Sequence, residues 1–207
     1  MKGIKKEFVV IGGYAVNAYA LPRFSVDCDI VVKDAGNLSL SGYKIEESNK
    51  NITPHGGKFI RFEKEISKNF RVSVDVFAKE IFDRQTGAIF SADWIFHNSS
   101  IRPLKGKTIA EELKLRIINV DALIVMKLIS CRNTDIRDIF MLMPKAINKE
   151  WIKEEVKKRY FFDNRLVKLK EKITSVKFKD DLQGVYGYID NNIFDKHMKA
   201  VLELEKE

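Results

Sequence analysis

The stretch that most constrains this chain is Phe8–Lys33, FVVIGGYAVNAYALPRFSVDCDIVVK. The apolar run Phe8-Val9-Val10-Ile11 predicts a short buried strand. Gly12-Gly13 ends it, where the backbone can turn tightly and a ligand can approach without meeting a Cβ. Tyr14 to Ala20 predicts a helix with Ala15, Val16, Ala18 and Tyr19 on its apolar face, closed by Pro22. A second strand follows over Asp27–Val32. Alternation sends Asp27 and Asp29 to one face, about 6.6 Å apart at Cα, and Cys28, Ile30 and Val32 to the other, towards a core.

Two carboxylates side by side on a strand repel each other, so a fold gains nothing from them alone. A divalent cation removes the objection: Mg²⁺ takes hard oxygen ligands and commonly uses one or two carboxylates together with substrate phosphates. The double glycine leading into a helix start suits a phosphate. Arg23 and Ser25 lie between the two features. Phosphate cradle and carboxylate pair in one strand–turn–helix–strand unit point to nucleotide chemistry.

At 207 residues the chain has room for one domain of usual size and a smaller appendage. Its 45% hydrophobic and 32% charged residues describe a globular protein with a real core, and no apolar run approaches the ~20 residues that cross a bilayer. The basic start, Met1 to Glu7, is followed by too short an apolar stretch for a leader, which predicts a cytoplasmic protein without membrane attachment. Cys28 and Cys131, both in apolar segments, predict buried reduced thiols. His55, His97 and His197 are scattered without ligand spacing, which argues against zinc. The net charge of +8 fits an anionic partner such as a nucleotide or RNA.

Further along, Tyr43–Glu46, Lys58–Glu63 and Phe70–Phe77 predict strands, with Pro54, Gly56 and Gly57 in the turn between the first two. Asp75 is a lone carboxylate in a β-branched strand, where it needs compensation or an opening to solvent. Ile81–Gly87 reads as a connection. Ser91 predicts a cap for a helix over Ala92–Asn98. Arg102–Lys107 reads as a basic turn and Leu115–Val120 as a strand. Asp121 predicts the cap of the most apolar helix, Ala122–Cys131, within which Lys127 either snorkels to water or serves a pocket. Thr134 predicts a cap for the next helix, which presents Asp135 and Asp138 on one face. Ordinary exposed pairing with Arg132 and Arg137 would account for both. Pro144 marks a boundary, predicting domains over 1–145 and 146–207. The tail predicts helices over 151–160, 164–173 and 179–204, the last interrupted at Gly184 and Gly187. The expected fold class is α+β, a small mixed β-sheet flanked by helices with a C-terminal helical bundle.

The pattern GGYA…R-F-S-x-D-x-D resembles the active-site signature of the DNA-polymerase-β-like nucleotidyltransferase superfamily, and within it the AbiEii/AbiGii-type toxin nucleotidyltransferases. The resemblance covers most of Phe8–Leu142. It implies a nucleotidyltransferase fold and Mg²⁺-dependent transfer of a nucleoside monophosphate from an NTP to an acceptor, with RNA or tRNA among the candidates. Two Mg²⁺ ions are implied with nucleotide bound, on Asp27, Asp29 and Asp75. Gly12, Gly13, Tyr14, Arg23, Ser25, Arg132 and Asp135 would bind nucleotide; Lys127 and Asp138 would join the three carboxylates in catalysis. Tyr14 departs from the usual small hydroxyl residue, and Ser25 replaces a frequent threonine. A cognate antitoxin is the implied protein partner. The competing expectation is a degenerate module that binds RNA or a partner protein without chemistry; a small molecule as acceptor is the third.

Overall fold

The computed structural model describes residues 6–36, 38–46, 51–105 and 112–205. They form two compact units. The first gathers the chain up to Ala18 with Phe24–Phe82 and Ile89–Ile118; the second gathers Tyr19–Arg23, Asp83–Ala88 and everything from Asn119 onward. The boundary expected after residue 145 therefore moves to 118/119. The reason is packing: the apolar helix α3 (Val120–Ser130) lies against α4 (Asn133–Leu142) and α5 (Lys149–Lys157), sharing their core.

The first unit is built on a mixed sheet. Its strands are β1 (Val9–Val10), β2 (Asp27–Val32), β3 (Lys44–Ile45), β4 (Asn51–Ile52), β5 (Lys58–Ser67), β6 (Phe70–Ala78), β9 (Ser99–Lys105) and β10 (Glu112–Ile118). Their order is β3-β5-β6-β2-β1-β10-β9, with β4 also paired to β5. The pairs β2–β6 and β1–β10 are parallel and the others antiparallel. Val9, Val10, Ile30, Val31, Val32 and Ile117 are fully enclosed, so the centre of the sheet is core on both faces. Two short helices, α1 (Gly12–Val16) and α2 (Ala92–His97), pack on β2. Ser91 caps α2 as expected, its Oγ accepting from the Trp94 N–H at 3.1 Å. The expected connection at Ile81–Gly87 is instead the turn of a hairpin, β7 (Glu80–Phe82) with β8 (Ile89–Ser91). Asp83 closes that turn by accepting from the Thr86 backbone and hydroxyl. The stretch read as a basic turn at Arg102 is strand up to Lys105 and carries Pro103 on the edge strand β9.

The second unit is helical: α3 to α5, then α6 (Phe162–Ile173), α7 (Phe178–Tyr186) and α8 (Asn191–Leu202). Phe140 anchors its core, with ring centroids 5.1 Å from Phe178 and 5.0 Å from Phe194. The last expected helix divides at Gly187, whose φ of +84° ends α7; Gly184 stays within α7. Phe161 and Tyr188 are exposed. Both α3 and α4 start earlier than expected, behind Asn119 and Arg132. Asp121 sits in the first turn of α3 and spends its carboxylate on the N–H groups of Ile147 and Asn148, tying α3 to the start of α5.

Candidate active site

Register brings distant residues together on the sheet. Parallel pairing of β2 with β6 sets Asp27 opposite Ser73 and Asp29 opposite Asp75. Antiparallel pairing of β6 with β5 sets Arg61 opposite Asp75. Ladder partners share a face, so Asp27, Asp29 and Asp75 stand on one face of neighbouring strands about 4.8 Å apart. The compensation that Asp75 needs is Arg61. Its Nε donates to Oδ1 at 2.8 Å and its Nη2 to Oδ2 at 2.7 Å, a two-pronged grip on a residue only 5% exposed. The hydrogen bond to Asp75 raises the guanidinium pKa above its already high value. Asp27 is oriented by Ser73, whose Oγ donates to Oδ1 at 2.6 Å, and Ser25 Oγ donates to the Asp27 carbonyl at 3.2 Å.

Gly12 lies against the same carboxylates. Its φ is +61°, and a Cβ there would stand 1.9 Å from Asp29 Oδ2, so no other residue fits without displacing Asp29. The Ile11 N–H donates to the Asp29 carbonyl at 3.0 Å and holds this bend beside β2. Helix α1 runs only from Gly12 to Val16, shorter than the expected Tyr14–Ala20, so its dipole is small. What remains of the expected phosphate cradle is the bare backbone at Gly12-Gly13. Two nearby groups register the negative field. Burial, with Asp29 and Asp75 adding to it, pushes the Cys28 thiol up to about 12. Burial, Cys28, Tyr43 and Asp27 raise the Tyr14 phenol above its ordinary value.

Among the described residues, no three His, Cys, Asp or Glu side chains are grouped closely enough to hold an ion by themselves. Of the three carboxylates expected to hold Mg²⁺ with nucleotide bound, Asp75 is engaged by Arg61 and Asp27 by Ser73. The donors still fit Mg²⁺, because that ion takes one or two carboxylates and completes its shell with water and substrate phosphates.

The other expected site residues meet in the helical unit. Lys127 is 7% exposed, which rules out snorkelling. Its Nζ lies 2.7 Å from Asp138 Oδ2 and 3.1 Å from Asp135 Oδ1. Arg23 forks onto Asp138 through Nε at 2.8 Å and Nη2 at 2.9 Å, and the Tyr186 hydroxyl donates to Asp138 Oδ1 at 2.6 Å. Asp135 accepts from Arg132 Nε at 2.7 Å, from the Arg132 backbone N–H at 3.1 Å and from Ser130 Oγ at 2.9 Å. Asp135 rather than Thr134 thus satisfies the start of α4. Both carboxylates are buried, so exposed pairing with Arg132 and Arg137 does not describe them. Burial pushes both carboxyls up, but Lys127, with Arg132 at Asp135 and Arg23 at Asp138, holds both below the usual range. Burial and Asp138 together raise the Tyr186 phenol far above its ordinary value, so it stays a donor.

Arg61, Ser73 and Tyr186 escape a reading of the sequence. Arg61 is one alternating residue of a charged strand, and only the β5–β6 register couples it to Asp75. Tyr186 is 48 residues from Asp138, with no local pattern to link them. Compared with known proteins, the sequence matches no family model and no curated protein. No helix of the described residues is long and apolar enough to cross a membrane.

Proposed function

We propose that the carboxylate face of the sheet transfers a nucleoside monophosphate from an NTP to an acceptor and releases pyrophosphate, on a sheet of the nucleotidyltransferase type in a cytoplasmic protein. The observation that carries this reading is the row Gly12–Asp29–Asp75. A backbone position that admits no side chain touches one carboxylate, and a second carboxylate stands beside that one in register. A fold has no use of its own for that arrangement, whereas a phosphate brought in with a hard cation needs both parts of it.

In this reading Asp27 and Asp29 hold Mg²⁺, with Asp75 as the neighbouring ligand for a second ion. Bound there with the nucleotide, Mg²⁺ lowers the pKa of an attacking hydroxyl and offsets the charge of an in-line displacement. The chain's own work is positional. Ser73 fixes the rotamer of Asp27, and the Ile11 N–H fixes the bend that keeps Gly12 open against Asp29. Tyr14, beside the same face, shapes the entry for the base or the acceptor. In the helical unit, Arg23, Lys127 and Arg132 are held by Asp135 and Asp138. RNA or tRNA, a protein and a small molecule all remain acceptors under this reading, and a cognate antitoxin is its protein partner.

The test is incubation with each α-labelled NTP, Mg²⁺ and total cellular RNA, with protein and small-molecule fractions resolved alongside. Label should move to one fraction, and Asp29→Asn, nearly isosteric, should abolish transfer while the fold persists. Binding of RNA by a protein that transfers no label to any fraction would instead favour the degenerate module.

A further inference from the structure

We propose that Arg61 is a resident counter-ion that a divalent cation must displace from Asp75, so that the carboxylate face takes its ion weakly until Arg61 lets go. The inference rests on the divalent-cation reading of Asp27, Asp29 and Asp75. Arg61, Asp75 and Asp29 form one row across three strands, β5, β6 and β2. Like charges directly opposite each other destabilise a ladder, and Asp29 opposite Asp75 is such a pair. A cation in the row offsets that repulsion, and Arg61 supplies it through both Asp75 oxygens.

The same grip is an obstacle. A carboxylate that gives both oxygens to a guanidinium fork cannot coordinate an ion without losing at least one of those hydrogen bonds. Arg61 is able to leave. Its side chain is 32% exposed, and the ring of Phe59, two residues back on the same face of β5, lies 5.9 Å from the guanidinium. Asp75, 8% exposed at its side chain, cannot follow. A cation arriving with a polyphosphate meets less resistance than a bare one, because phosphate oxygens complete its shell and give the released guanidinium a new anionic partner.

Mn²⁺ alone, followed by electron paramagnetic resonance of the free ion, gives the first measurement. Arg61→Gln should bind Mn²⁺ about fivefold more tightly than the wild type, the scale expected for a partly exposed pair. Arg71→Gln removes the same charge from the same face of β6, where Arg71 stands 3.9 Å from Glu63. It should change binding by less than about twofold, since the exposed Arg71 side chain faces Glu63 rather than gripping Asp75. In the unaltered protein, the Arg61 Nε–H resonance should be protected from solvent exchange without ions and lose that protection as Mg²⁺ saturates. This second measurement decides the matter should Arg61→Gln fail to fold. Equal Mn²⁺ affinity in wild type and Arg61→Gln, equal tightening in both variants, or an Arg61 signal indifferent to saturating Mg²⁺ would each overturn the inference and leave the cation reading standing. Absence of Mn²⁺ binding by all three proteins would overturn the cation reading, and this inference with it.

Discussion

The sheet and the helices each carry a cluster of charge, and the two are built on opposite principles. On the sheet, Asp27, Asp29 and Asp75 share one face, where the partly exposed Arg61 pairs with Asp75. In the helical unit, three cations surround two carboxylates that are almost fully enclosed, with Tyr186 and Ser130 filling the remaining hydrogen bonds. An enclosed cluster must satisfy nearly every donor and acceptor, because each unmet one carries a desolvation cost. An open cluster can keep an excess of one sign, since water screens it. The accessible sheet face is where we propose that an ion and a nucleotide bind; the enclosed helical cluster fastens α3, α4, α7 and the Tyr19–Arg23 segment together.

That contrast is most severely tried by Lys127→Met. It leaves Asp138 and Asp135 buried without their shared ammonium, and unfolding free energy should fall by about 3–5 kcal/mol, the usual result of stripping one partner from a buried ion pair. Urea unfolding followed by far-ultraviolet circular dichroism measures it; a loss near zero would erase the distinction between the clusters. Tyr186→Phe comes next, removing one hydrogen bond to a charged carboxylate in a dry site, for about 1.5–3 kcal/mol by the same assay.

Acid should act in the same direction. Asp135 and Asp138 have carboxyl pKa values lowered by folding, so the unfolded chain binds protons more readily than the native one. Their contribution is therefore complete above about pH 4 and is lost as the pH falls through their native values. Repeating the urea series downward from neutral pH should show that loss in the wild type and a flatter profile in Lys127→Met. Smallest of all, Arg61→Gln should change stability by no more than about 1 kcal/mol, because its fork is partly in water. A cost rivalling that of Lys127→Met would make Arg61 a fastening too.

The sequence made the sheet cluster partly visible and the helical one hardly at all, for reasons that lie in the chain. Strand alternation is strict, so Asp27 and Asp29 declare a common face within three residues, and β2 forms over the expected Asp27–Val32. Asp75 is conspicuous as a carboxylate among valines. Its partner is not legible there, because register between β5 and β6 is settled by pairing along the whole ladder. In the helices, Lys127 could be noticed as a charge in an apolar segment, yet periodicity says nothing of Arg23 or Tyr186, which reach Asp138 across 115 and 48 residues. The hairpin β7–β8 is not legible in composition, because Asp83 and Thr86 make a turn out of a stretch that reads only as a connection.

The two margins of the sheet have a consequence for the life of the chain before any ligand is met. One margin is β9, interrupted by Pro103, which has no N–H to offer an incoming strand. The other is made by β3 and β4, two residues each. A proline on one margin and two very short strands on the other both interrupt the row of backbone groups on which sheets grow into aggregates. Among the described residues, both margins therefore carry features that discourage edge-to-edge pairing of copies.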